Sequence, residues 1–431
     1  MIDLSHRLAA AAATALAVVM AAGCQPAAED AAPGVRLIET VPVETSIGNP
    51  DLESAHEAWL ELIRGATTSL DFEQFYVSAW PGEPLDEVLD AVGAAAARGV
   101  RVRFIVDASM HGTYPRTIDS LGTVPGIERR VIDMRDVAGG VQHAKFFIVD
   151  GETVVLGSQN FDWRALEHIH ELGVVIRDPG VAQAFGAVFE MDWAASDPDS
   201  ASAAAAVAAG RAAARTAAPH PVPYRVACVP GDTVLVWPSW SPAGWNPDST
   251  LWDRDAIVRL LDGARSEIVL QLLKYGPASR GRIDPTLDEA LRRAAARGVR
   301  VKMVVSDWQA DGEEMRAYQD LARVPGIQAR LSTIPPWSGG YIPFARVDHC
   351  KYAVADTAAL WIGTSNWEPG YWWDSRNVAV TLAHRGLALD ARKVFESSWT
   401  APGTAPVDPD SAYTPVVHGE TPPPGAVKYG G

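Results

Sequence analysis

The feature that most constrains this chain is a six-position signature that occurs twice. His143, Lys145, Asp150, Gly157, Ser158 and Asn160 recur as His349, Lys351, Asp356, Gly363, Thr364 and Asn366, each set spelling H-x-K-x4-D-x6-G-[ST]-x-N. The surroundings repeat as well. AAARGVRVRFIVD at 95–107 returns as AAARGVRVKMVVSD at 294–307, GATTSLDFEQFYV from Gly65 as GARSEIVLQLLKY from Gly263, and VPGIERR from Val124 as VPGIQAR from Val324. Corresponding blocks in one order mean a duplicated domain rather than two borrowed motifs. Each copy alternates helix ends, glycine stops and β-branched strands, which predicts an α/β fold.

The boundaries follow from composition. A basic start at His6 and Arg7 leads into an apolar stretch from Leu8 to Ala22, then Gly23 and Cys24, which reads as a secretory signal over 1–24. Small residues before Cys24 resemble a lipoprotein box, although Ala21 stands where leucine is usual. The expectation is an exported, membrane-anchored lipoprotein with lipidated Cys24 as mature N-terminus, facing the periplasm or the cell exterior. Residues 25–45 then read as a tether, 46–195 as the first domain, 196–222 as an Ala-rich linker with room for a short helix, 223–400 as the second domain and 401–431 as a Pro/Gly-rich tail, too poor in apolar residues to pack and expected to be disordered or to lie along the surface. With Cys24 lipidated, Cys228 and Cys350 are left, but Cys350 sits inside the motif on an expected buried strand, which weighs against a disulfide. The net charge of -16 weighs against nonspecific adhesion to phosphate polymers or anionic membranes, without excluding a small basic pocket.

The signature has its own chemistry. HAKFFIV reads as a strand buried on both faces, with His143 and Lys145 on one side by period two. Asp150-Gly151 follows as a tight turn and TVVLG returns, so Ser158 and Asn160 point toward the same spot. An ammonium and a side-chain amide suit the non-bridging oxygens of a phosphate, and a histidine beside them can attack phosphorus or pass a proton. In-line displacement requires nucleophile and leaving group on opposite sides of phosphorus. Two domains meeting about a pseudo-twofold axis satisfy that requirement with one shared site, so one chain suffices as a monomer.

These residues resemble the phospholipase D superfamily. LGSQNFDWRALEHIHELGVVI around Asn160, with IPFARVDHCKYAVAD and WIGTSNW around His349, is most similar to the branch of animal endolysosomal phospholipase-D-like and poxvirus envelope proteins. The similarity runs from about Glu57 to Trp399. It implies a metal-independent, cofactor-free ping-pong reaction through a phosphohistidine. His143 would be the nucleophile and His349 the general acid and later base. Lys145, Lys351, Asn160, Asn366, Ser158 and Thr364 would bind the phosphoryl group, and Asp150 and Asp356 would be structural. Glu171, in HELGVVI, falls where the family has a glutamate bonded to the catalytic imidazole, and is expected to support the first half. The second half has no glutamate in WWDSRNVAV, leaving Asp374 or Asn377 as substitutes.

Other features are read more plainly. His168 and His170 are expected to be solvated or supporting groups rather than a metal site, because lysine is a poor ligand and no Cys/His cluster has metal spacing. Trp367, Tyr371, Trp372 and Trp373 fit core packing and stacking on a substrate equally well. The first functional expectation is hydrolysis of phospholipids, or transfer of their phosphatidyl group, at a membrane surface. Cleavage of single-stranded nucleic acid is the alternative, and a catalytically silent envelope binding or assembly protein the third. No obligate protein partner is evident.

Overall fold

The structure is a computed structural model that describes residues 34–216, 222–228, 232–279, 281–308, 312–414, 416 and 418–430. Cys24, the expected signal and the first part of the expected tether lie outside them. Residues from Gly34 onward form one compact unit built on two mixed sheets.

The first sheet has eight strands, in spatial order Glu53–Ser54, Val35–Thr40, Glu171–Arg177, Thr153–Gly157, Phe146–Val149, Ser69–Gln74, Arg101–Asp107 and Ile127–Ile132. The second has nine, Tyr224–Ala227, Thr233–Ser241, Asn377–Ala383, Ala359–Gly363, Lys351–Ala355, Glu267–Leu272, Arg300–Ser306, Ile327–Ser332 and Thr404–Pro406. Six strands recur in the same order in both, from Glu171–Arg177 through Ile127–Ile132 and from Asn377–Ala383 through Ile327–Ser332. In each copy the last three run parallel and the motif hairpin antiparallel.

Strands buried on both faces need two layers of cover. In the first sheet Phe72, Phe147 and Val155 face the helices Ala55–Gly65 and Pro84–Ala97. Ser54 caps the former, its hydroxyl accepting from Glu57 N–H at 3.1 Å. The other face, with Phe146, Ile148, Leu156 and Val174, joins Val236, Tyr352, Val378 and Val380 of the second sheet and the helices Pro179–Ala195 and Arg385–Thr400 in a single core. The domains therefore share a hydrophobic interior, the kind of interface that resists relative motion. Helices Asp253–Gly263, Thr286–Ala296 and Gly312–Ala322 cover the outer face of the second sheet.

One boundary expectation changes and two sharpen. Val35–Thr40 pairs antiparallel with Glu171–Arg177, Val35 opposite Ile176, so the expected tether up to residue 45 contains a sheet strand. VRLIET buries five of its six residues, which is worth more than the freedom of a linker. Within the expected linker, Ala203–Thr216 is a helix that packs against Pro179–Ala195. The tail is not loose either, since Thr404–Pro406 pairs with the edge strand Ile327–Ser332 and Val407 is buried. Further on, Tyr341 N–H donates to Val427 O at 2.7 Å and Phe344 N–H to His418 O at 2.7 Å.

Candidate active site

The motif aspartates build the frame. Asp150 and Asp356 sit in the left-handed region, φ 55° and 53°, where aspartate is tolerated. Asp150 accepts from the backbone N–H groups of Thr67, Thr68 and Ser69, and Asp356 from those of Arg265, Ser266 and Glu267. Burial opposes the charge, but these donors outweigh it and pull the Asp150 carboxyl down to about 2. Each aspartate thus ties its motif turn to the neighbouring strand at the far end of the hairpin.

His143 and Lys145 precede the strand rather than lying in it, since regular pairing begins at Phe146. Their segment pairs instead with the other domain. His143 N–H donates to Arg376 O at 2.9 Å, and His349 N–H to His170 O at 2.9 Å. This places both histidines on the domain interface, where they line one cavity of about 850 Å³.

The side chains cross the interface as well. Glu171, from the first half, bonds His349 Nδ1 through both carboxylate oxygens, at 2.9 and 2.8 Å. Asn377, from the second half, holds His143 Nδ1 through Oδ1 at 2.9 Å. The expectation that Glu171 supports the histidine of its own half is therefore wrong. Glu171 and Asn377 open equivalent strands, and each points across the pseudo-twofold axis. Asp374, the other substitute considered, pairs with Arg282 instead.

The network around Asn377 fixes a tautomer. Asn377 Nδ2 donates to the carbonyls of Tyr371 and Ser375, and its Oδ1 also accepts from the Thr364 hydroxyl at 3.0 Å. Its oxygen therefore faces His143, which must donate from Nδ1 and keeps a lone pair on Nε2. Burial and the charges of Lys145 and Lys351 push His143 well below the ordinary imidazole range. His143 is a neutral imidazole with its free nitrogen set by the opposite domain.

His349 has the opposite surroundings. Burial lifts the Glu171 carboxyl to about 8, while burial and the two lysines hold the imidazole itself low. Carboxyl and imidazole in contact share one proton, held within reach of the cavity.

Lys145 and Lys351 are buried, each donating to the carbonyl of its own motif histidine at 2.8 Å. Burial lowers both, Lys351 to about 8. Two ammonium groups in one enclosed site make a receptor for an anion, whose arrival restores their charge. Asn160 and Asn366 line the cavity, each with an Oδ1 that has no hydrogen-bond partner among the described residues. Ser158 and Thr364 do not behave as expected of phosphate ligands. The Ser158 hydroxyl bonds Leu172 N and O, and that of Thr364 bonds Val378 N and Asn377 Oδ1. The chain leaves the strand at Gly157 and Gly363, so alternation no longer decides which way they point.

The cavity wall is aromatic. Phe75 and Tyr371 present edges to His143, ring centroids 4.8 and 4.9 Å away, and Tyr76, Tyr114, Trp308 and Phe344 continue the lining. Trp367 and Trp372 are core residues instead, and Trp373 packs edge-on to Trp252. Burial pushes His168 down to about 4. His170, Asp348 and Cys350 lie close enough to hold a metal, but their atoms are engaged internally, His170 Nε2 with Glu39 and Cys350 Sγ with His170 O. Cys228 and Cys350 are unpaired. Sequence reasoning passed over the buried pair of Asp192 and Arg376, which bond at 2.6 Å across the domains.

Residues 59–193 and 257–399 match the family described as cardiolipin synthase, PLD-like domain. The chain is 31% identical over 406 residues to a protein from Macaca fascicularis named 5'-3' exonuclease PLD3, covering 86% of this chain and 80% of that protein. It is 27% identical to phospholipase D Z of Dictyostelium discoideum, covering 86% and 90%. Among solved structures, phosphatidylserine synthase of Haemophilus influenzae shares the fold with a TM-score of 0.55, at 15% identity over 81% of this chain and 85% of that one. Two copies of one signature, folded so that their histidines meet in one cavity, agree with these matches, and the chain belongs to the phospholipase D superfamily, in its animal phospholipase-D-like branch.

Proposed function

We propose that this superfamily phosphodiesterase cleaves single-stranded nucleic acid at chain ends. The observation that carries this reading is the ring of aromatic side chains around the two histidines. Flat faces beside a phosphate site suit bases, which stack on aromatics for about 1–3 kcal/mol each. A cavity of about 850 Å³ is of the size that encloses a small ligand rather than a long polymer. Relatives covering most of this chain carry the name 5'-3' exonuclease.

In the first step His143 Nε2 attacks phosphorus while the lysines hold the non-bridging oxygens. The phosphorus–oxygen bond to the leaving group breaks, and that oxygen takes the proton held by His349 and Glu171. In the second step His349 accepts a proton from water, the water oxygen displaces His143, and the phosphate monoester leaves.

Phospholipid hydrolysis or phosphatidyl transfer, the first expectation, is the second reading. It is favoured by the name of the Dictyostelium relative and by Ile283, 77% exposed and paired with Ala278, the residue before the cavity residue Ser279. The full set of signature residues argues against a silent assembly protein. The purified protein and His143→Ala are compared on linear single-stranded DNA with free and blocked ends and on phosphatidylcholine and phosphatidylglycerol vesicles. Cleavage of free-ended DNA by the parent protein only is expected; release of head groups alone would replace this reading with the second, and equal behaviour of both proteins everywhere would end the enzyme reading. We further propose export and lipid anchoring at Cys24, which Cys24→Ala checks by loss of membrane fractionation and acyl labelling.

A further inference from the structure

The two halves match beyond the signature, in a polar layer just behind each catalytic histidine. Arg376 precedes Asn377 and His170 precedes Glu171, so they occupy equivalent places. The backbone confirms it: Arg376 N–H donates to Val141 O and its carbonyl accepts from His143 N–H, while His170 N–H donates to Val347 O and its carbonyl accepts from His349 N–H. Both side chains are fully buried. Arg376 faces Asp192, Ser241 and Asn246, and its partner Asp192 also accepts from Trp245. His170 faces Glu39 at 2.9 Å, Asp348 at 3.4 Å, and Gln271, which in turn bonds Asp348 and Ser398.

The layer continues the equivalence. Gln142 and Asp348 each precede a catalytic histidine, and Glu73 and Gln271 occupy the same place in equivalent strands. One half therefore neutralises a permanent cation with Asp192, and the other builds its cation from an imidazole between two carboxylates. Burial opposes a charge on His170, but its surroundings, the Asp348 carboxylate among them, outweigh it and hold its proton well above the ordinary range. The ionisable groups facing it are Glu39, Asp348 and Cys350, with Glu171 next in the chain. A positive His170 in turn favours the Glu171 carboxylate, together with Lys351 and Lys145.

We infer that His170 is a positioning residue, the buried cationic counterpart of Arg376, which anchors the segment carrying Glu171 and loosens the hold of the Glu171–His349 pair on the proton they share. It touches neither substrate nor the reacting atoms. Its effect reaches the chemistry through the proton that Glu171 and His349 share.

The inference rests on the histidine chemistry proposed above, but its first readout needs no substrate. His349 is followed by NMR in isotopically labelled protein, assigned with His349→Gln, across a pH titration. Removing the neighbouring positive charge makes the Glu171–His349 pair bind its proton more tightly. In His170→Gln the midpoint of His349 is expected to rise by about half a pH unit or more. On a phosphodiester substrate kcat should fall about tenfold with KM within about twofold, and the rate profile should move to higher pH with the NMR midpoint. Glu39→Gln should shift the midpoint the same way by less. A folded His170→Gln protein with an unmoved midpoint overturns the inference; if that variant does not fold, an unmoved midpoint in Glu39→Gln does so. An inactive parent protein with the shift intact would overturn the proposed function and leave this inference standing.

Discussion

Replacing Glu171 by glutamine removes one charge and leaves a group of nearly the same shape 2.8 to 2.9 Å from His349 Nδ1. At an effective dielectric of about 20, unit charges 4 Å apart attract by about 4 kcal/mol. At 1.36 kcal/mol per pH unit, losing that attraction weakens the hold of His349 on its proton by about three powers of ten. In the proposed mechanism His349 supplies the proton to the leaving oxygen, so turnover of a substrate with an alkoxide leaving group should fall by about 10³. The parent rate should decline as pH rises through about 8, where burial has placed the Glu171 carboxyl, because above it the Glu171–His349 pair loses the one proton it shares. A p-nitrophenyl phosphodiester departs without that proton. With it, Glu171→Gln should give a rapid burst of one nitrophenolate per enzyme, then slow turnover, because the water step still needs a base. The phosphohistidine that accumulates should be trapped on the peptide containing His143. If the burst slows as much as the alkoxide reaction, Glu171 does not serve the acid step. Label at His349 alone would exchange the roles of the two histidines.

Asn377→Asp places a carboxylate behind the nucleophile, so His143 should hold a proton to higher pH and the acid limb of the rate profile should move up by about one unit or more; an unmoved limb would argue against a neutral His143. Arg376→Met leaves Asp192 buried without its cation and should cost about 3–5 kcal/mol in denaturant unfolding. The double change with Asp192→Leu should recover much of that loss, and equal destabilisation of single and double variants would count against the pair. Asp150→Ala strands three backbone donors and should cost about 1–3 kcal/mol. Because the native Asp150 carboxyl is depressed, its contribution is present above about pH 4 and lost as pH falls toward 2, so the two proteins should converge in acid.

Much of this was legible before the fold. The duplication named two α/β domains, and the spacing of Asp150 and Asp356 from their histidines announced a turn at the base of each hairpin. What escaped notice depended on contacts that cross between domains. HELGVVI and RNVAV mark Glu171 and Asn377 as strand openings, yet nothing local says which histidine each one meets. Ser158 and Thr364 face away from the expected phosphate site because period two ends with the strands at Gly157 and Gly363. Val35–Thr40 was lost to the tether because the Ala, Pro and Gly before it dominate the composition of that window. Arg376 and Asp192 lie far apart in the chain, and only the interface makes them a pair.

The exchange of orienting groups between the halves has a consequence for how damage is inherited by the site. A lesion at Asn377 is a lesion of His143, and one at Glu171 is a lesion of His349, although each pair is split between domains. Two crippled chains, one altered at 143 and the other at 349, could restore function only by trading whole halves. Neither half is free to drift on its own, because each carries the other's chemistry.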